Sequence, residues 1–224
     1  TGMIPHEVAV LDKGFVRLLG SMGDDALICD AARVSSGTGT KSVSADRTLI
    51  RYMVRHRHSS PFEHVVFRFH VKAPLFVLRQ WHRHRTWSYS EISGRYSQMK
   101  DDFYCPPPES VRAQSTTNRQ GSEGMSDQGD AEAFANNMEG LCGDAHRDYL
   151  RAIAAGIGRE QARMLLPVNL YSEMYATVDL HNLFHFLSLR MDPHAQQEIR
   201  DYANAMFALI RPIVPMACEA LLDY

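Results

Sequence analysis

Between Pro61 and Pro74 the chain alternates. Val65, Phe67, Phe69 and Val71 fall on one side, His64, Arg68, His70 and Lys72 on the other, and only Val66 breaks the pattern. A period of two over Glu63 to Lys72 fits a strand with one face in the core and one face polar. Pro74 suits the first turn of a following helix, predicted over 75–84, with Leu75, Leu78 and Trp81 turned inward. The stretch Ser172 to Asp179 alternates again, with Met174, Ala176 and Val178 on one side.

The remaining segments are placed by period and by breakers. Val8–Leu11 and Phe15–Leu19 read as strands, and Ala26 to Val34 begins a helix. The Ser/Gly/Thr stretch 35–44 reads as a loop. Ser44 or Asp46 is a candidate cap for a helix reaching about Arg57, striped with Leu49, Ile50, Met53 and Val54. Residues 106–130 are polar, with prolines at the front and glycines later, and read as a mobile surface insertion. Helices are expected over 131–155, His181 to Met191 and Ala195 to Ile210. Pro212 and Pro215 end the last of these before a short terminal helix. No internal repeat is visible. The expected architecture is one α+β domain over 3–224, because strands and helices do not alternate as a βαβ array.

A chain of 224 residues with 45% hydrophobic and 22% charged residues has the makings of a globular core. No apolar run approaches the roughly 20 residues that span a bilayer, so no membrane partner is expected. Thr1 and Gly2 ahead of Met3 read as an expression scar, no signal peptide is recognised, and the expected setting is the cytosol. Cys29, Cys105, Cys142 and Cys218 are scattered, which disfavours a disulfide framework or a zinc ribbon. The net charge of −2 gives the molecule no general attraction to polyanions. The local crowding of Arg79, His82, Arg83, His84, Arg85 and Arg95 points instead to a small anionic ligand.

Several familiar motifs fail. Ser36 to Ser42 superficially suggests a phosphate loop but lacks a glycine before Lys41. There is no G-x-G-x-x-G and no G-x-S-x-G. His181 and His185 share a helical face, yet Asn182 stands where a zincin carries glutamate, and no third ligand is evident. No metal is expected.

The segment from Gln80 to Tyr96 carries the chemistry. Its arginines present forked donors that match phosphate oxygens. Gly94 permits close approach of main-chain N–H groups. Glu91 is its one carboxylate, able to accept from a sugar hydroxyl. From charge alone the segment reads equally well as a solvated basic face; an RNA-binding strip with interleaved aromatics is the weaker alternative, given the acidic net charge.

Arg83-His84-Arg85 followed after seven residues by Ser93, and continuing through Gly94-Arg95-Tyr96, resembles the signature of the flavin-dependent thymidylate synthases. Four further blocks resemble that family in order: Ala31–Ser35, His58–His64, Gly156–Pro167 and Leu189–Gln196. The resemblance covers most of residues 29–200. It implies a mainly antiparallel sheet flanked by helices and a homotetramer with active sites at subunit interfaces. It also implies reductive methylation of dUMP to dTMP, with FAD as cofactor, methylenetetrahydrofolate as carbon donor and NADPH as reductant. By that resemblance Gln80, Trp81, His82, Arg83, Glu91, Ile92, Ser93, Gly94, Arg95, Arg163 and Arg190 hold dUMP. Ser60, Arg83, His84, Arg85, Glu91, Asp179, Leu180, His181 and His185 contact FAD, and His58 lines the folate or flavin pocket unless it is only a polar helix end.

The same resemblance makes Arg190 the catalytic residue, a fixed cation that favours the N3-deprotonated pyrimidine and so enriches C5. Ser93 is assigned to binding, since no histidine is evidently placed as its base. Ser90 stands where the family often has Asn, and Asp179-Leu180-His181 where it commonly has Asn-x-Arg. These departures bear on individual FAD contacts. Two rival readings follow from the same residues: another FAD or FMN oxidoreductase acting on a different nucleotide, and an RNA-binding module.

Overall fold

The structure is a computed structural model that describes residues 6–34 and 43–224. Residues 1–5 and 35–42 lie outside it, and with them the phosphate-loop look-alike and most of the 35–44 loop. In chain order the elements are β1 (Glu7–Val10), β2 (Gly14–Met22), α1 (Asp25–Val34), α2 (Val43–Arg55), β3 (Val66–Pro74) and α3 (Leu75–Trp81). There follow β4 (Ser88–Glu91), β5 (Arg112–Gln114), β6 (Ser122–Met125), α4 (Gln128–Ala154) and α5 (Arg159–Ala162). The chain ends with β7 (Tyr171–Asp179), α6 (Leu180–Arg190), α7 (Gln197–Ile210) and α8 (Pro215–Asp223).

Five strands form one sheet in the order β1-β2-β3-β7-β4, and every neighbouring pair is antiparallel. The α+β expectation therefore holds. The two alternating segments are the central pair, in a register that sets Phe67 opposite Val178, Phe69 opposite Ala176 and Val71 opposite Met174. All six of these side chains are buried. A slip of one residue would expose the whole set, so this pairing is fixed by burial itself.

Each central strand runs directly into a helix. β3 ends at Pro74, opposite the start of β7, while β7 ends at Asp179, opposite the start of β3. Helices α3 and α6 thus begin at opposite ends of the strand pair. They meet through Trp81, which stacks on Phe186 at 4.9 Å and lies edge-on to Tyr202 of α7 at 6.0 Å. Trp81 and Leu180 are wholly buried in this core.

A smaller apolar cluster, including Met99, Phe103, Cys142, Tyr149, Ala162 and Leu170, packs α4 and α5 against the segment after β4. Tyr149 Oη accepts the Met99 N–H at 3.0 Å and so pins that segment.

Three expectations need adjustment. The strand begins at Val66, because Ser60–His64, with a proline in its first turn, takes a 3-10 turn. Asp46 does not cap α2, which already starts at Val43; its carboxylate is buried and pairs with Arg33 at 2.5 Å. The polar stretch 106–130 carries the antiparallel β5–β6 hairpin and then the first turn of α4, capped by Asp127 on the N–H groups of Gly129 and Asp130.

The ends of the fold are also joined. Asp25 is buried in the first turn of α1, and its carboxylate accepts from the N–H groups of Met216 and Ala217 at 2.8 and 3.0 Å. It thereby satisfies the first turn of α8, where the Val214 cap position offers no side-chain acceptor. Asp25→Ala is expected to cost about 2 kcal/mol, the combined effect of a lost cap and buried unpaired donors. Urea denaturation should register this as a lower midpoint at unchanged slope; an unchanged midpoint would show that α8 docks without the aspartate.

Candidate active site

The C-terminal turns of α3 and α6 come together around Arg190. Its Nε donates to His84 Nε2 at 3.1 Å, and its Nη2 donates to the Gln80 carbonyl oxygen at 3.2 Å. That carbonyl belongs to the last turn of α3, where the helix dipole favours a cation, and it also accepts the Arg83 N–H at 3.3 Å. Gln80 is itself tethered, donating through Nε2 to Gln196 Oε1 at 2.5 Å.

His84 is held on several sides. Its N–H donates to the Trp81 carbonyl oxygen at 2.9 Å, and its own carbonyl accepts the Tyr89 hydroxyl at 2.9 Å. Its ring lies edge-on to Phe186 at 4.9 Å and to His185 at 5.9 Å. Burial, reinforced by the neighbouring Arg190 and His185, pushes its pKa down from 6.5 to about 4. His84 is therefore neutral at pH 7 and able to accept the Arg190 proton. Burial also lowers the pKa of Arg190, which remains a cation at neutral pH.

A second group forms at the turn after β4. Ser93 Oγ accepts the Arg95 N–H at 3.2 Å, and the Ser93 carbonyl accepts from Tyr96 and Ser97. Gly94 is buried against Arg163; a Cβ there would lie 3.2 Å from Arg163 Cδ and 3.3 Å from Met99 Sδ. The glycine is needed for this close approach. Arg95 pairs with Glu160 at 3.4 Å, and Arg159 donates to the Tyr96 carbonyl at 3.2 Å. The block 156–167 thus meets the signature segment. Glu91 lies at the end of β4 and accepts from Ser172 Oγ at 2.7 Å.

The predicted dUMP residues consequently fall into two groups, Gln80 with Arg190, and Ser93 to Arg95 with Arg163. No hydrogen bond or ion pair joins them among the described residues. Arg83, Arg85 and His185 are exposed beside His84 and the first group, His181 is exposed in the first turn of α6 at the opposite end of that helix from Arg190, and Ile92 is exposed beside the second. His58 and Ser60 are exposed at the far end of α2, where His58 lies edge-on to Tyr52 at 5.7 Å. The described contacts do not connect these two residues to Arg190.

Several of the expected ligand residues also have structural roles. The side chains of Trp81 and Leu180 are core groups, so anything they offer a ligand is main chain. Asp179 accepts from the Asn182 N–H at 2.9 Å and from its Nδ2 at 2.6 Å, so its carboxylate serves as the N-cap of α6. Its charge is favourably placed at a helix N-terminus. Arg190 pairs with His84, while Asp192 accepts from His194. Gln196 ends the family-like block Leu189–Gln196, and its link to Gln80 becomes visible only in three dimensions. Gln196 also lines a cleft of about 1160 Å³ between the β5–β6 hairpin, α4 and the start of α7; none of the predicted ligand residues lines it.

The donor set suits a phosphorylated dinucleotide. Arg83 and Arg85 are exposed and form no ion pair with the described residues, leaving two forked cations for phosphate oxygens. Buried His82 Nε2 and Trp87 Nε1 lack hydrogen-bond partners among the described residues, so the segment retains unspent polar capacity. No His/Cys/Asp/Glu group among the described residues has a metal-holding arrangement.

Fold and site together define an α+β nucleotide enzyme with a neutral-histidine-supported arginine. Residues 17–216 match the family model described as thymidylate synthase complementing protein. A flavin-dependent thymidylate synthase of Thermus thermophilus is 53% identical over 98% of this chain and 80% of its own length. One from Dictyostelium discoideum is 51% identical over 97% of this chain and 74% of its own. The crystal structure of a UMP/dUMP methylase, PolB from Streptomyces cacaoi bound with 5-Br dUMP, superposes with a TM-score of 0.87 at 34% identity, covering 97% and 98% of the two chains. The chain belongs to the flavin-dependent thymidylate synthase family.

The depressed His84 pKa has a consequence for stability. Between pH 6.5 and about 4 the unfolded chain binds a proton at this residue that the folded chain does not. Stability from this group is complete above that window and declines as pH falls through it, by up to about 3 kcal/mol. Wild type should therefore lose about that much more stability than His84→Gln between pH 7 and pH 4, as read by urea denaturation at each pH. Parallel losses in the two proteins would contradict a neutral, buried His84.

Proposed function

We propose that this chain converts dUMP to dTMP with methylenetetrahydrofolate as carbon donor, FAD as cofactor and NADPH as reductant, in a homotetramer whose subunits complete one another's sites. Family membership supports the reaction. The observation that carries the residue assignments is the placement of Arg190 at the joined ends of α3 and α6, beside the signature segment. In that assembly each subunit gives one group to each of two sites.

Bound FAD supplies the redox chemistry, passing reducing equivalents from the pyridine nucleotide to the transferred carbon. The protein's own residues bind, orient and polarise. Arg83 and Arg85 hold cofactor phosphates, and His181 and His185, on one face of α6, contact the same cofactor. His58 and Ser60 belong to the folate or flavin side of the site. Arg95 and Arg163, with the main chain around Ser93 and Gly94, hold the nucleotide phosphate.

Arg190 faces the pyrimidine. A desolvated guanidinium favours the N3-deprotonated ring by direct charge attraction, which makes C5 electron-rich without an enzyme nucleophile. Ser93 Oγ accepts the Arg95 N–H and makes no hydrogen bond to a histidine among the described residues, in keeping with a binding role. Glu91, oriented by Ser172, stands between nucleotide and cofactor as an acceptor.

Arg190→Ala should purify yellow, with normal flavin content, and lose at least about a hundredfold in dTMP formation, the usual scale for an electrostatic donor to a developing charge. Near-normal turnover in that variant refutes the assigned role. Arg95→Ala should chiefly weaken dUMP, raising its Kd at least about tenfold, as expected for a charge-assisted phosphate contact. Isothermal titration reads the difference, and unchanged dUMP affinity would remove Arg95 from the phosphate site. A colourless wild-type preparation that oxidises no NADPH on addition of dUMP would contradict the reading as a whole.

A further inference from the structure

The two bonds on Arg190 use one edge of its guanidinium. Nε and Nη2 form the side-on fork, and they are taken by His84 Nε2 and the Gln80 carbonyl. Nη1 makes no hydrogen bond to a described residue. The end-on edge is thus presented to a ligand while the plane of the group is fixed at two points, which a single bond could not achieve.

The nature of the two partners matters as much as their positions. An arginine beside a buried group is commonly satisfied by a carboxylate, and an ion pair would largely cancel its charge. Here both acceptors are uncharged, an imidazole nitrogen and a peptide oxygen. Because the guanidinium can only donate, Nε2 must carry a lone pair, so the proton of the neutral ring resides on Nδ1. The ring cannot easily turn away: its main chain is tied to Trp81 and Tyr89, and Phe186 closes on it at 4.9 Å.

We infer that His84 is a positioning residue for the reaction, whose neutral Nδ1–H tautomer orients the Arg190 guanidinium through Nε2 while leaving its positive charge uncancelled for the pyrimidine. This goes beyond the cofactor contact expected of His84 and rests on the role proposed for Arg190. Orientation and charge are separable requirements. A replacement side chain may supply an acceptor without a charge, an acceptor with a charge, or neither.

The test compares three variants at His84, each assayed per bound flavin so that altered cofactor loading does not enter. His84→Gln keeps a neutral acceptor and should lower kcat by at most about tenfold. His84→Phe removes the acceptor, and His84→Glu adds a neutralising charge; each should lower kcat by about a hundredfold or more, the scale of losing one preorganised donor. Adding His84→Phe to Arg190→Ala should cost little further, because the two residues act through one contact. Equal activity of the Gln, Phe and Glu variants would overturn the inference, as would full additivity with Arg190→Ala.

A second measurement is independent of turnover. In protein labelled with 15N-histidine, His84 should show an unprotonated Nε2 and a protonated Nδ1 at pH 7; a protonated Nε2 would overturn the inference even if a variant failed to fold. Arg190→Ala assayed alone distinguishes the two levels. If it remains active, the role of Arg190 fails; if it is inactive while the His84 variants are indistinguishable, only the positioning role of His84 fails.

Discussion

The antiparallel pairing of β3 with β7 is the constraint from which the site descends. Alternate residues of both strands are buried, so their register cannot move without exposing phenylalanine and valine side chains. Each strand passes without a long loop into a helix, and the two helices start from opposite ends of the pair. Their packing through Trp81 and Phe186 brings the last turn of α3 against the last turn of α6. Arg190 and His84 are 106 residues apart in the chain, and it is this arrangement that puts them in contact.

Electrostatics then follow from burial. A cation at the C-terminal ends of two helices is favoured by their dipoles, and the core next to it keeps His84 neutral. A charged group at the margin of an apolar core attracts a developing negative charge more strongly than it would in water. The second group, around Gly94 and Arg163, is built by different means. There a glycine allows an arginine stem to lie against the main chain, and the α5 residues Arg159 and Glu160 brace the turn.

Much of this was legible in the sequence wherever a short-range period or breaker governs the structure. The alternation of 65–71 and 174–178 located the central strands, and the helical stripes in 195–210 located α7. The capping bonds of Asp179 to Asn182 are set by where β7 passes into α6, which a linear pattern does not show. Asp46 was read as a cap because its partner, Arg33, lies in another helix. The bonds of Arg190 to His84 and of Gln80 to Gln196 join residues far apart in the chain, and no local period reports them. The strands of the hairpin within 106–130 are short, polar and largely exposed, so burial leaves no signature there in the sequence.

The most direct test of the account is a crystal structure of the protein with FAD and dUMP bound together. It should show the free edge of the Arg190 guanidinium within hydrogen-bonding distance of a pyrimidine oxygen or nitrogen, with Nε still on His84. A guanidinium turned to the nucleotide phosphate, or a pyrimidine ring bound away from α6, would contradict it.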